Sequence, residues 1–293
     1  MMEKILENHI DAIDSNQEET DSRVILYAMH AKERGFSYVR VISPDSDIFF
    51  ILLHYALKIN GVTLLFDTGK GNDKHLINVT EIASKYGQEQ CTALLVLHAF
   101  TGCDSTSAFV GRGKMRPIQT LKRFPKYIPT FAQLGEECDI GIMKLIEEFV
   151  CKMYGHPRAS SIDDVRFNML KAKCGGEDGM IDPKKNIDFS LLPPCSKSLQ
   201  QHILRTNYQV SIWKRSHIRF PVIPKPTEGN GWVISDSGFM EPKWVEGDPN
   251  ILPQEIVDVL QESIDEMDSD DDEEIMFGRA EFSDEEDNDS DWY

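Results

Sequence analysis

Residues 38–53 read YVRVISPDSDIFFILL, and the hydrophobic period changes in the middle of them. The first six, YVRVIS, are rich in β-branched residues and bounded by Gly35 and Pro44, which predicts a strand over 38–43. From Asp47 the chain is apolar and long enough for a helix over 47–58. Two acids, Asp45 and Asp47, stand where the strand gives way to the helix. A helix N-cap explains one aspartate there, but a second in so apolar a context asks for another reason.

Outward from this junction the same grammar repeats. Residues 18–34 predict a helix, with Val24, Ile25, Ala28 and Met29 at helical spacing and Gly35 closing it. Residues 62–67 (VTLLFD) predict a second strand and 68–71 a turn, followed by helices over 77–86 and 89–100. Strands alternating with helices imply an α/β layer with a mainly parallel sheet. Beyond Asp104 the texture becomes helical. Helices are expected over 116–124, 141–154 and 196–214, and prolines at 117, 125 and 129 interrupt the chain. In 141–154 the residues Ile142, Leu145, Ile146, Phe149 and Val150 share one face. Residues 219–248 read as irregular and 253–264 as a last short helix. Residues 1–16 are helix-like but short.

The formal charge of −18 is unevenly placed. Residues 265–293 hold 15 acids and one base, a local −14, which leaves −4 for residues 1–264. The tail has the composition of a disordered segment, so the body is only mildly acidic and a polyanionic substrate stays open to it. The tail is read as solvating, or as a phosphate mimic for a basic protein partner, and Ser269 and Ser283 suit acid-directed phosphorylation. The six cysteines, at 91, 103, 138, 151, 174 and 195, form no close pair with zinc-ligand spacing and read as free thiols. Residues 1–10 have no apolar core run, and the longest apolar stretches are far too short to span a bilayer. The expectation is an intracellular protein, nuclear rather than cytoplasmic, without membrane contact.

Acids recur in two more stretches. Glu18, Glu19 and Asp21 open the first helix, where the helix dipole alone accounts for them. Asp104, in Thr101-Gly102-Cys103-Asp104-Ser105, follows an apolar helix and opposes its dipole, unless a cation neutralises it or it caps a later helix. Brought together at one edge of the sheet, such carboxylates could not all stay ionised without a cation. Hard oxygen ligands select Mg²⁺ or Mn²⁺, and a two-ion site suits phosphodiester hydrolysis.

The order Glu-x-Asp, then Asp-x-Asp after a strand, then Gly-x-Asp after a helix resembles the flap-endonuclease branch of the PIN superfamily. The strings EETDSRVILYAMHA, VISPDSDIFFILL and LHAFTGCDSTSAFVGRGK resemble PIN-like proteins found in transposon-like contexts, over roughly residues 17–260. The resemblance implies a three-layer PIN-like fold over 1–128, a mostly helical region over 129–264 and the disordered tail over 265–293. It implies metal ligation by Glu19, Asp21, Asp45, Asp47 and Asp104, with Asp45, Asp47 and Asp104 catalytic. It places a nucleic-acid backbone clamp at Gly111, Arg112, Gly113, Lys114 and Arg116, with DNA favoured over RNA. The family's domain opens with a strand ending in an aspartate. Residues 1–16 carry no such strand, so the domain is expected to be incomplete at its N-terminus, and Thr20 replaces a small residue inside the first motif. Two functions therefore stand side by side: an active metal-dependent nuclease, or an inactive PIN-like module that binds nucleic acid or protein.

Other residues read as structural. His30 and His98 sit on apolar helices as hydrogen-bonded core histidines. Gly69-Lys70-Gly71 and Gly175-Gly176 lack the spacing of a nucleotide-binding loop. Trp213, Trp232, Trp244 and Tyr208 read as packing, with a stacking platform for single strands as the alternative.

Overall fold

The computed structural model describes residues 13–174 and 188–247. The expected helix over 253–264, the acidic tail with Ser269 and Ser283, Gly175-Gly176 and most of the 1–16 segment lie outside the described residues. The described residues belong to one compact unit.

The first half follows the predicted order. Helix α1 (Thr20–Glu33) leads to strand β1 (Tyr38–Ile42), helix α2 (Ser46–Tyr55) and strand β2 (Thr63–Thr68). A short strand β3 (His75–Asn78) precedes helices α3 (Val79–Tyr86) and α4 (Gln88–Phe100). β1 and β2 run parallel, with Val39 opposite Leu64 and Val41 opposite Phe66. β3 pairs antiparallel on the other side of β2, so the sheet is mixed and not mainly parallel. The predicted helix over 77–86 starts at Val79 because residues 75–78 satisfy their backbone against β2 first.

The sheet also departs from three layers. Leu64 and Phe66 are buried against the helices, and Val39 and Val41 pack onto the same core. On the opposite face Tyr38, Ile42 and Leu76 are 69%, 74% and 58% exposed. Among the described residues, helices therefore cover one face only. The alternation in YVRVI allows this, since the side chains that point to the open face include Tyr38 and Arg40.

Helix α4 is the centre of the body. Cys91, Ala93, Leu95, Val96, Leu97, Ala99 and Phe100 are all essentially inaccessible, as expected of a helix that is apolar all round. It packs against α2 on one side, and against α6 (Ile128–Gln133) and α9 (Ser196–Trp213) on others. Helices from both sides of residue 128 thus share one core. α5 (Met115–Arg123) and α7 (Ile140–Met153) match the predicted helices closely. α6, α8 (Ile162–Cys174) and a hairpin of β4 (Trp232–Ile234) with β5 (Met240–Pro242) were not foreseen. Pro129 stands in the first turn of α6, where its missing N–H costs nothing, so it starts a helix instead of breaking one. No described helix is long and apolar enough to cross a membrane.

Candidate metal and nucleic-acid site

The chain entering α1 is strapped down before it reaches the first acids. Gln17 Nε2 donates to the Ile218 carbonyl at 2.6 Å, and Ser15 Oγ to the Arg219 carbonyl at 2.7 Å. Glu19 is the N-cap of α1, yet its side chain caps nothing. Its carboxyl is pushed above the usual carboxylate range, first by burial and then by repulsion from Asp21, Asp47 and Asp104. A hydrogen bond from Gln209 offsets part of this. Asp21 is raised as well, by burial and then by Asp45, Asp47 and Asp104. Acids from the start of α1, the β1–α2 junction and the turn after α4 therefore feel one another through space.

Asp45 does the capping that one aspartate was expected to do. Its Oδ1 accepts from the Asp47 backbone N–H at 2.8 Å. Asp47, buried in the first turn of α2, turns its Oδ1 instead to His98 Nε2 at 2.6 Å. His98 is itself fixed by stacking on Phe50, with ring centroids 4.2 Å apart. It is a core histidine, as read from the sequence, but one whose partner is a site carboxylate.

Asp104 caps no later helix, since the next begins at Met115. It sits exposed, next to a half-buried Ser105, at the tip of a tight turn closed by reciprocal backbone bonds between Cys103 and Thr106, both 3.2 Å. Gly102 makes the turn possible. Its φ is +112°, and a Cβ there would lie 3.0 Å from the Ala108 Cβ. Ser105 Oγ donates to Gln209 Oε1 at 2.7 Å, which leaves the Gln209 amide N–H₂ for Glu19. One α9 side chain thereby ties the turn to the head of α1.

The cation at the C-terminal end of α4 is Lys114. Its Nζ donates to the His98 carbonyl at 2.7 Å and also to the Gly102 carbonyl, covering the C-terminal end of α4. Burial lowers its pKa, and the charges of Cys103 and Asp47 pull the other way. Lys114 therefore faces inward, toward the acids, and not outward as a clamp. Arg112 also lies on protein, its guanidinium 4.0 Å from the centroid of the Tyr154 ring. Arg116 is exposed at the head of α5. Gly111 and Gly113 both have φ in the left-handed region, which shapes the loop between them.

Sequence reading missed Asp67 and Gln209. Asp67 ends β2, is buried and pairs with Arg40 across the strands, so its charge is neutralised. Gln209 carries no motif and is found only by its contacts. Among the described residues no group of three or more His, Cys, Asp or Glu side chains stands close enough to hold a metal ion as placed. No protein-family model, curated protein or solved structure matches the chain.

Proposed function

We propose that the chain is a metal-dependent nuclease of PIN-like type, acting on DNA or RNA through Glu19, Asp21, Asp45, Asp47 and Asp104. The observation that carries the reading is that Glu19 and Asp21, at the head of α1, are each raised in part by the charges of acids from the other two stretches, Asp45, Asp47 and Asp104. Burial supplies the larger share of each shift, and the like charges add to it. Caps alone do not require acids from three separate stretches to lie within electrostatic reach of Glu19 and Asp21. The donor set is all hard oxygen, which fits Mg²⁺ or Mn²⁺, although the side chains must draw closer than they stand to share an ion.

Each residue has a part that needs no assumed ion geometry. Asp45 and Asp47 are held at the head of α2, Asp47 oriented by His98 as an outer carboxylate–histidine pair. Gln209 and Ser105 keep Glu19 and the Asp104 turn in register. Lys114 limits how strongly Asp47 repels its neighbours until a substrate arrives. Arg116 offers its charge to the nucleic-acid backbone. The chemistry a bound Mg²⁺ or Mn²⁺ supplies at such a site is activation of water and stabilisation of the leaving oxygen.

The spacing of the acids favours a second reading, a module that binds nucleic acid without cleaving it. One experiment separates the two. Purified protein is incubated with Mn²⁺ and end-labelled flap, hairpin and single-stranded substrates, beside the double variant Asp45→Asn/Asp47→Asn. Asparagine keeps the α2 cap, so the fold should survive. The nuclease reading expects Mn²⁺-dependent cleavage that falls at least about 100-fold in the variant, the scale of losing metal ligands or their supports. Cleavage equal in both proteins rejects the site; binding without cleavage in either selects the second reading.

A further inference from the structure

About two turns of α9 toward its N-terminus from Gln209 lies a half-open pocket of about 260 Å³ whose chemistry is the reverse of the acid cluster. Its walls include Phe109, Tyr154, Phe189 and Trp244, with His202 and Arg205 contributed by α9. Trp213 is buried as packing, but Trp244 is 61% exposed and does not fill a core. Arg205 is 3% exposed, donates to the carbonyls of Gly231 (3.1 Å) and Lys243 (2.6 Å), and lies 5.3 Å from the Trp244 ring. Burial alone lowers its pKa, with no carboxylate opposing it.

Arg205 is not alone. Arg112 stacks on Tyr154 with its Nε buried and lacking an acceptor. Arg116 and Arg166 also act electrostatically on the Tyr154 hydroxyl. Among the described residues none of these four arginines forms an ion pair, although the chain is rich in acids. The nearby Asp188 is spent on Ser190, accepting from its N–H and its hydroxyl. A buried guanidinium without an anion is costly, and arginine is the side chain suited to phosphate. Aromatic walls favour a flat ring, and the volume is below the usual range for drug-sized ligands, so it suits one ring system. His202 Nε2 donates to the Phe100 carbonyl at 2.7 Å, and burial lowers its pKa to about 4. The ring is then neutral, which leaves Nδ1 as an acceptor for an amino group.

We propose that this pocket binds a nucleoside monophosphate unit, free or at the end of a strand, with its base among Phe109, Phe189 and Trp244 and its phosphate facing the arginines beside Tyr154. His202, Arg205 and Gln209 share one face of α9 at spacings of three and four residues, so the pocket floor lies roughly 6–11 Å along the helix from the Glu19 contact. The segment 101–116 joins them too, with Asp104 in the acid turn and Phe109 in the pocket wall. A strand end seated in the pocket would lead its neighbouring phosphate toward the acids. That strand-end form rests on the nuclease reading; the binding itself requires neither metal nor cleavage.

The test is titration of the full chain in EDTA with AMP, dTMP, the matching nucleosides and inorganic phosphate, read by tryptophan fluorescence and calorimetry. The monophosphates should bind at least tenfold more tightly than nucleoside or phosphate alone. Trp244→Ala and Arg116→Ala, both at exposed positions, should each weaken binding at least fivefold, while Asp45→Asn/Asp47→Asn leaves it unchanged. Competition by 5′- or 3′-phosphorylated oligonucleotides marks a strand end as the ligand, and binding of the mononucleotide alone marks a free nucleotide; either supports the pocket. Nucleosides binding as well as nucleotides, no binding at millimolar concentration, or unaltered affinity in both single variants overturns it. Because no metal is present, a failure of cleavage elsewhere leaves this result standing, and the converse holds.

Discussion

The acid cluster and the aromatic pocket holding Arg205 are neighbours on the same two pieces of chain, the 101–116 segment and α9, yet they keep their charges apart. In the first, Glu19 and Asp21 are raised partly by the acids they face. In the second, four arginines lie beside Tyr154 and Trp244, with no ion pair to any of them among the described residues. Arg40 and Asp67, by contrast, pair with each other across β1 and β2. Leaving opposite charges unpaired a few helical turns apart lowers stability, and such cost concentrates where a ligand is to supply the missing ion. On the function and the pocket proposed above, the two regions are two halves of one surface, one for cations and the other for an anion.

The sharpest way to break that pairing is through the link between them. Gly102→Ala forces a side chain into φ +112° and against Ala108, on the strand of chain that carries both Asp104 and Phe109. Strain of this kind costs about 2–3 kcal/mol, and for a body of this size lowers Tm by roughly 5–10 °C. Thermal unfolding measures the cost. Metal and nucleotide binding should weaken together in the folded fraction. If one is lost and the other untouched, the two sites are not mechanically joined by this segment.

Lys114 offers a smaller but more selective probe. Lys114→Met removes the two bonds that cover the end of α4, a loss of about 1–2 kcal/mol in denaturant unfolding. It also removes the cation beside Asp47, so Mn²⁺ should bind roughly three- to tenfold more tightly by calorimetry, despite the lower stability. Nucleotide binding in EDTA should hardly change. Weaker Mn²⁺ binding would mean that Lys114 organises the acids instead of competing for them.

The two regions also differ in how far the sequence revealed them. Every acid of the crevice lies within three short strings whose strand-to-helix changes are visible in hydrophobic period, and β1, α2, β2 and α4 fall close to where those changes put them. The pocket has no such signature. Phe109, Tyr154, Phe189 and Arg205 come from four places in the chain and meet only through tertiary packing, and no local pattern announces that an arginine lacks a carboxylate. Single side-chain roles were hidden for the same reason. Lys114 looked like part of a basic loop, but the exposed carbonyls at the end of α4 capture it. Edge pairing misled as well, because His75–Asn78 carries too few apolar residues to outrank a helix until β2 offers it partners.

The gentlest prediction tests whether the acids truly repel. A carboxylate whose pKa is raised on folding binds protons more readily in the folded state than in the unfolded one. Stability therefore falls as pH climbs from the ordinary carboxylate pKa through the raised one, and the loss is complete above it. Asp21 and Glu19 both act in this sense. Asp21→Asn removes one charge from the crowd, so in EDTA at pH 8 its Tm should exceed that of the parent by about 1–2 °C, allowing for solvent screening at a half-exposed site. The difference should shrink as pH falls through and below the ordinary carboxylate range, because Asp21 then takes up its proton in both states. Mn²⁺ should reverse the order at pH 8, since ion binding needs the deprotonated ligand and stabilises the parent more than the variant. An apo variant that melts below the parent at pH 8 would mean that Asp21 is held by favourable contacts. The crevice would then be a set of separate surface acids, with nothing left to set against the pocket.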